Sequence, residues 1–270
     1  MVSRSERPPA AAGPSARRLT ERAFRIRESG IIVVLVVFVA ITTAIQPRFL
    51  NITNIQFILI NTTVFALLAL GETMVVISRN YDLSVGSVLG LSAYLSANLF
   101  GQHHGIPILA IAIAVGIGIG AYYLRSYRSG RELYAIGSNP DAARLAGIPV
   151  GRRVFVAFTV SGAIAGIAGV LWAAQYGTID STAGTGYELQ VISAVVVGGV
   201  AIFGGSGSAV GAALGALLLN TISSALYVLG ISPFWDQAIW GFLLLLAISV
   251  DRFIAVRLAV ALRVRGGRHE

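Results

Sequence analysis

One acidic residue of this sequence lies inside an apolar run, where a charged side chain is unexpected. Glu72 stands six residues before the end of the apolar segment Ile55–Ser78. A carboxyl group at such a position is unfavourable unless it has a partner or a function, so it is a candidate functional group. It can line a path for a polar solute, or it can form a salt bridge or hydrogen bond within a helix bundle. Both readings stay open, and Asn61 on the same segment adds polarity that fits either.

A second polar group follows this segment, in the sequence RNYDLSVGSV. Asp82 and Ser84 directly precede the short apolar segment Val85–Phe100. Asp and Ser oxygens accept hydrogen bonds from the first N–H groups of a helix, and the helix dipole favours an anion there. Asp82 and Ser84 are therefore predicted to cap the next helix, with a place on a solute path as the functional alternative.

Several kinds of chemistry are excluded or disfavoured by composition. The chain has no cysteine, which excludes disulfides, thiol nucleophiles and thiolate metal sites. All 20 basic residues are arginine, so the lysine of a phosphate-binding loop is absent. His103 and His104 have no carboxylate or further histidine nearby in the sequence. We expect no metal site and no cofactor.

A polar stretch, Arg125–Arg153, interrupts the apolar sequence and contains the signals of a short helix. Asn139 is a good N-cap, Pro140 suits the first helical position, and Asp141 favours the positive end of the helix. Gly147 can adopt the left-handed conformation that closes a helix. The sequence thus predicts a helix of about two turns, Pro140–Ala146, which is too short to be stable without a surface to pack against. An ordinary loop between membrane helices is the alternative.

Composition places the remaining elements in a membrane. The chain of 270 residues is 56% hydrophobic and 12% charged, with a mean hydropathy of +0.78. These values predict an all-α, polytopic helix bundle with about eight hydrophobic segments. The segments are Gly30–Ile45, Ile55–Ser78, Val85–Phe100, Ile106–Leu124, Val154–Tyr176, Leu189–Phe203, Ala209–Leu229 and Ala238–Val250. The third, sixth and eighth are short for a straight span and are predicted to be tilted, broken or re-entrant.

The arginines predict the orientation of the bundle. Seven precede Gly30, one is Arg79, six lie in 125–153 and five follow Val250. With eight crossings and the N-terminus inside, all of these are cytoplasmic and only Arg48 is outside, as the positive-inside rule requires. We therefore expect a disordered cytoplasmic tail at 1–29, a transmembrane domain at 30–250 and a cytoplasmic tail at 251–270.

Several long motifs together resemble the permease subunits of ribose-type ABC sugar importers. They are NYDLSVGSVLGLSAY, GRELYAIGSNPDAARLAGI, VFVAFTVSGAIAGIAGVL and the run from Thr185 to Ala212. The motifs follow the family's order, and the Arg-Asn pair before DLSVGS resembles the rhamnose and autoinducer-2 branch. The resemblance does not choose between rhamnose, ribose and autoinducer-2.

The resemblance implies a multi-pass subunit of the bacterial plasma membrane that pairs with a second permease subunit. It also implies two cytoplasmic ATPases and an extracytoplasmic substrate-binding protein as partners, and no nucleic acid. The loop Glu132–Gly147 would then couple the permease to the ATPase. The candidate coupling residues are Arg131, Glu132, Asn139, Pro140, Asp141, Arg144, Leu145 and Gly147, and the candidate path residues are Asn61, Glu72, Asp82 and Ser84.

The chain departs from the family in being shorter. The missing part falls near residue 120, where GIGIGA runs directly into YYLRSYRSG. A truncated paralogue that does not transport is therefore one alternative, and an ion-coupled secondary transporter with Glu72 as its ion site is another. A permease for branched-chain amino acids has a related fold, but the DLSVGS motif argues against it. None of these alternatives makes the chain an enzyme.

Overall fold

The protein is described by a computed structural model that covers residues 14–100, 122, 124, 126–177, 179–180, 182–232 and 234–266. Within these ranges all regular structure is helical, so the all-α prediction is confirmed. The helices are α1 (Pro14–Ile45), α2 (Ile52–Ile77), α3 (Val85–Phe100), α4 (Arg128–Ser138), α5 (Pro140–Leu145), α6 (Val150–Tyr176), α7 (Tyr187–Val197), α8 (Ala209–Val228) and α9 (Phe234–Gly266), with a 3₁₀ turn at Pro47–Leu50.

Helix α2 is the centre of the bundle. It packs against α6, α7 and α8, and α3 packs chiefly against α6. Small residues allow close approach, because a Cβ atom on Gly71 would lie only 3.1 Å from the Cα atom of Ser161 on α6. In lipid, where apolar burial no longer drives helix association, such close backbone packing stabilises a bundle.

Among the residues that the structure describes, five helices are long and apolar enough to cross a membrane. Their candidate spans are Glu28–Ile45, Ile52–Ile77, Val150–Tyr176, Ala209–Val228 and Phe234–Phe253. Few residues of the α1 and α9 spans are buried, and many of their side chains are exposed or half-buried, whereas the span of α2 is mostly buried. Helices that are apolar all round and expose those side chains are typical of contact with lipid. The fold is that of a polytopic membrane helix bundle.

The short segments were predicted with mixed success. The third and sixth correspond to α3 and α7, which have only 16 and 11 residues and are indeed short. The prediction that the eighth segment is too short for a straight span was wrong, because α9 begins at Phe234 and its span reaches Phe253. Asp236 breaks the apolar run in the sequence, but it lies in the first turn of the helix, where a carboxylate is favourable. The fourth predicted segment, Ile106–Leu124, lies almost wholly outside the described residues.

The sixth segment ends earlier than its apolar composition predicts. Helix α7 stops at Val197, and residues 198–208 form a folded loop before α8, called here the connecting loop. Gly204 and Gly205 have φ angles of 78° and 79°, which other residues rarely adopt, so they direct the chain away from a helix. The backbone N–H of Ala201 donates to the carbonyl of Ser206 at 2.9 Å and closes the loop.

Both terminal helices extend into the segments that composition assigns to tails. Helix α1 begins at Pro14, inside the stretch 1–29, and α9 continues past residue 250 to Gly266. The added residues are rich in Ala, Leu, Arg and Glu, which favour helix. Extending an existing membrane helix needs no new nucleation, so these polar ends can remain helical.

Candidate functional site

Helix α5 has the capped geometry that its sequence predicts. The Asn139 side chain accepts hydrogen bonds from the N–H groups of Asp141 and Ala142 at 3.1 and 3.0 Å. At the other end, Gly147 has a φ angle of 79°, and the N–H of Ile148 donates to the carbonyl of Ala143 at 3.0 Å. This pair of features forms a Schellman motif, with Ala146 as the C-cap.

The outer surface of α5 is exposed and presents an apolar side chain. Ala143 is buried against the protein, whereas Leu145 is 91% exposed. Arg144 and Asp141 form an ion pair at 3.1 Å, but both side chains are open to solvent, so the pair adds little stability. A helix of six residues that is capped at both ends and exposes a leucine in this way is suited to contact another protein.

Helix α4 supports α5 and is fastened to α6 by a buried carboxylate. Glu132 is buried and accepts hydrogen bonds from Arg153 Nε at 2.5 Å and from Arg128 Nε at 2.9 Å. The hydrogen bond from Arg153, followed by that from Arg128, lowers the pKa of Glu132 below its usual range. Glu132 therefore stays ionised at neutral pH and links α4 to the first turn of α6. Arg131, on the same helix, is exposed.

The other face of α4 contacts the end of α2 and the connecting loop. The Tyr134 hydroxyl donates to the carbonyl of Gly207 at 3.0 Å. Gly137 touches α2 so closely that a Cβ atom there would lie 1.8 Å from the carbonyl oxygen of Ile77. The same carbonyl accepts a hydrogen bond from the N–H of Gly205 at 2.9 Å. Helix α4, the end of α2 and the connecting loop thus form one packed unit.

The turn after α2 adds two further ties to the connecting loop. Arg79, with a φ angle of 66°, donates from Nε to the carbonyl of Phe203 at 2.7 Å. The Tyr81 hydroxyl donates to the carbonyl of Ile202. Burial raises the pKa of Tyr81, so its hydroxyl keeps its proton and remains a donor at neutral pH. At the far end of the loop, the Ser208 hydroxyl donates to the Glu28 carboxylate at 2.6 Å, which connects α1 to the same unit.

Three of the four candidate path residues come together at the start of α3. The N–H of Asp82 donates to Glu72 Oε1 at 3.1 Å, and both residues are buried. Asp82 Oδ1 accepts hydrogen bonds from the N–H and the hydroxyl of Ser84 at 3.0 and 2.6 Å. Asp82 therefore fixes the turn before α3, and the Ser84 hydroxyl donates to Asp82. The prediction that both side chains cap α3 is therefore corrected: the Asp82 carboxylate accepts from Ser84 in the turn before the helix, and the Ser84 hydroxyl is used as a donor to Asp82.

Asn61 lies apart from this cluster. It stands eleven residues before Glu72 on α2, roughly 16 Å along the helix axis. Its side chain accepts a hydrogen bond from the Tyr176 hydroxyl at 2.7 Å and donates to the carbonyl of Phe57 at 2.8 Å. Asn61 thus joins α2 to the end of α6, and the structure does not bring it to the Glu72 carboxylate.

The sequence reasoning missed the residues that hold α4 and the connecting loop in place. Arg128 could have been found, because it stands four residues before Glu132 on a helical stretch. Arg153 and Tyr134 could not, because their partners are 21 and 73 residues away in the sequence. Among the described residues, no group of three or more His, Asp or Glu side chains could hold a metal ion. His103 and His104 lie outside the described residues.

Residues 119–248 match the family described as "Branched-chain amino acid transport system / permease component". Similar curated proteins include the ribose import permease of Escherichia coli strain K12, 29% identical over 312 aligned positions that cover 88% of this chain and 97% of the relative. The ribose import permease of Haemophilus influenzae is 27% identical over 83% of this chain and 93% of its own. The autoinducer 2 import permease of an Enterobacter species is 26% identical over 83% and 86%. No solved structure matches the chain.

The alignment with the Escherichia coli protein also bears on the shortened chain. The alignment spans 312 positions, more than the 270 residues of this chain. Some residues of the relative therefore have no counterpart in this chain. The family match begins at residue 119, beside the predicted position of the missing part near residue 120. The rhamnose and autoinducer-2 branch stays a prediction, because relatives named for ribose and for autoinducer 2 both match. Together, the family match and these relatives support the assignment of the chain as a ribose-type ABC permease.

Proposed function

We propose that this permease imports a sugar or sugar-like molecule of the rhamnose, ribose or autoinducer-2 type, and that α5 docks on a separate cytoplasmic ATPase subunit. The names of the relatives support the class of solute. The docking role rests on α5 alone: a helix closed at both ends, with Leu145 almost fully exposed. An isolated helix of six residues is unstable in water, so its exposed apolar side chain favours a protein partner.

Movement of α5 would reach the membrane helices through the packed unit below it. Glu132 links α4 to α6 through Arg153, and Tyr134 links α4 to the connecting loop between α7 and α8. Gly137 fixes α4 against the end of α2. A rigid chain of contacts of this kind is the physical requirement for coupling ATP hydrolysis on one subunit to helix movement in another.

The proposed orientation places this unit in the cytoplasm, together with both termini. Glu28 at the start of the α1 span and Arg79 after α2 both bind the connecting loop, whereas Arg48 lies beyond the opposite end of α2. With 26 residues, α2 is about 39 Å long, enough to separate its two ends by a bilayer. The extracytoplasmic binding protein would approach the end marked by Arg48, and a second permease subunit would complete the pathway.

Branched-chain amino acids are the second candidate cargo, because the matching family carries that description. The two cargoes are separated by uptake measurements in cells that express the permease with the ATPase and binding protein encoded beside it. Accumulation of labelled ribose or rhamnose without leucine supports the sugar importer. Accumulation of leucine alone supports the amino-acid permease. Failure to accumulate any of labelled ribose, rhamnose, autoinducer 2 and leucine supports a paralogue that does not transport.

The docking proposal is tested by Leu145→Glu. Adding a charge to an apolar contact surface should abolish co-purification with the ATPase and the ATP hydrolysis stimulated by the binding protein. Leu145→Met is the matched control, since methionine keeps an apolar side chain of similar volume at the same exposed position. Equal co-purification of the Leu145→Glu variant and the parent would contradict the proposal.

A further inference from the structure

A cavity of about 530 Å³ lies between α3 and the segment that leads into α7. This volume falls within the range of about 300–1,000 Å³ that is usual for small-molecule sites. The side chains that carry its chemistry are Ser87, Leu91, Tyr94, Asp180, Thr185 and Glu188. None of these residues belongs to the Glu72 cluster or to the proposed docking surface.

The floor of the cavity is built by direct backbone contact. A Cβ atom on Gly86 would lie 2.4 Å from the carbonyl oxygen of Gly184, and one on Gly90 would lie 2.1 Å from that of Ala183. These distances are too short for any larger residue, so α3 and the segment 183–188 keep one relative position.

Glu188 is positioned by the aromatic residue before it. The Tyr187 ring stacks on Trp172 with ring centres 4.9 Å apart and also contacts Phe65 at 4.7 Å. These contacts fix the first turn of α7, of which Glu188 is part. Glu188 Oε2 lies 2.6 Å from the position of a Cβ atom on Gly86, and therefore beside the first turn of α3. Two helix N-termini thus favour a carboxylate at this point of the cavity.

Asp180 supplies a second carboxylate to the lining. Its Oδ1 atom accepts hydrogen bonds from the N–H and the hydroxyl of Thr182. These bonds lower the pKa of Asp180, so it is ionised at neutral pH. Its other oxygen is left to accept from a solute.

We infer that this cavity binds a neutral polyhydroxy solute. The inference rests on the proposed function and assigns the imported solute a binding site between α3 and the segment before α7. Carboxylates accept strong hydrogen bonds from hydroxyl groups, and the hydroxyls of Ser87 and Thr185 can both donate and accept. Leu91 and the Tyr94 ring offer apolar surface to the C–H groups of a sugar.

The lining also discriminates against other solutes. The described lining residues include no arginine, so a phosphorylated sugar or the carboxylate of an amino acid would face two carboxylates without a cationic partner among them. A metal ion is a poorer occupant, because no cluster of three or more His, Asp or Glu side chains occurs in the described parts of the chain.

The first test measures occupancy directly. Ser87→Cys introduces the single thiol of the chain, which has no native cysteine. In nanodiscs that contain the full-length protein, D-ribose or L-rhamnose should slow the reaction of this thiol with a small charged reagent severalfold. Sucrose at the same concentration is the osmotic control. Absence of protection by both monosaccharides, or equal protection by sucrose, would overturn the inference.

The second test measures transport in the complete complex. Leu91→Trp should fill the cavity and block uptake, whereas Leu95→Trp, one turn further along α3 and outside the lining, should not. Glu188→Gln should lower uptake at limiting sugar about tenfold, as expected for loss of a charge-assisted hydrogen bond. Equal uptake by the two tryptophan variants would contradict the assignment. Failure of the ATPase to co-purify would contradict the proposed function instead and would leave the labelling result as the test of the cavity.

Discussion

The backbone N–H of Asp82 donates a hydrogen bond to the Glu72 carboxylate at 3.1 Å, although ten residues separate them in the sequence. The contact exists because the chain turns back along α2 after Ile77 before it enters α3. Only Oε1 of Glu72 is used in this way, and Oε2 is buried without a partner among the described residues. A buried carboxylate oxygen without a partner is unfavourable, which favours a functional reason for the acid.

We predict that Glu72→Gln lowers solute uptake while membrane abundance is maintained. The amide oxygen of glutamine can still accept from the Asp82 N–H, so the turn before α3 should persist. Replacing the acid should make membrane insertion no less favourable, because an ionisable group within an apolar helix is costly. Uptake of labelled sugar and quantitative immunoblotting of membranes are the measurements.

The Glu72 experiment needs two comparisons. The parent chain must first transport when it is co-expressed with its ATPase and binding protein, because the chain is shorter than its relatives. Should it fail, insertion of the missing part from a longer relative provides the background in which to repeat the substitution. A parallel loss of abundance, heat resistance and uptake would make Glu72 a structural residue.

Local signals account for what could be predicted of this molecule. The cap at Asn139 and the left-handed turn at Gly147 lie within nine residues of each other, so the sequence alone indicated α5. Helix α4 was not predicted as a separate helix, because it is held by Arg153 on α6 and by the carbonyl of Gly207. The cavity likewise depends on contact between Gly86 and Gly184, which are far apart in the sequence, so no local pattern predicts it.

We predict that Gly147→Val uncouples the permease from its ATPase. Valine in the left-handed conformation is disfavoured by about 1–2 kcal/mol, so the last turn of α5 should open and Leu145 should lose its fixed position. Ala146→Val is the matched control, because Ala146 has a φ angle of −77° that valine tolerates. Co-purification with the ATPase and stimulated ATP hydrolysis are measured for both variants. Similar losses in the two would show that bulk, and not backbone conformation, is responsible.

We predict that Arg153→Gln weakens the link between α4 and α6, with a clear dependence on pH. The pKa of Glu132 is lowered in the folded protein, so its contribution to stability is present above the usual pKa of a glutamate and is lost as the pH falls through the folded value. Without Arg153 that folded pKa should rise, and the loss should begin at a higher pH. Thermal unfolding in detergent across the acidic range is the measurement.

The neighbouring arginine provides the control for this pair. Arg152 is exposed, so Arg152→Gln removes the same charge and leaves the Glu132 carboxylate with both partners. Its unfolding temperature should follow that of the parent at every pH. Identical pH profiles for the Arg152 and Arg153 variants would show that net charge, and not the buried contact, determines the effect.

The orientation drawn from the arginines predicts that the two ends of α2 lie on opposite sides of the membrane. Ala135 is exposed on α4, two residues before the Gly137 contact with the end of α2, whereas Ile52 is exposed at the opposite end. In intact cells a membrane-impermeant thiol reagent should therefore label Ile52→Cys but should label Ala135→Cys only after permeabilisation. The absence of native cysteine makes each variant its own single-site probe, and the unmodified parent gives the background. Labelling of Ala135→Cys from outside would contradict this topology. It would place the arginine-rich loops outside the cell, where the positive-inside rule expects few basic residues.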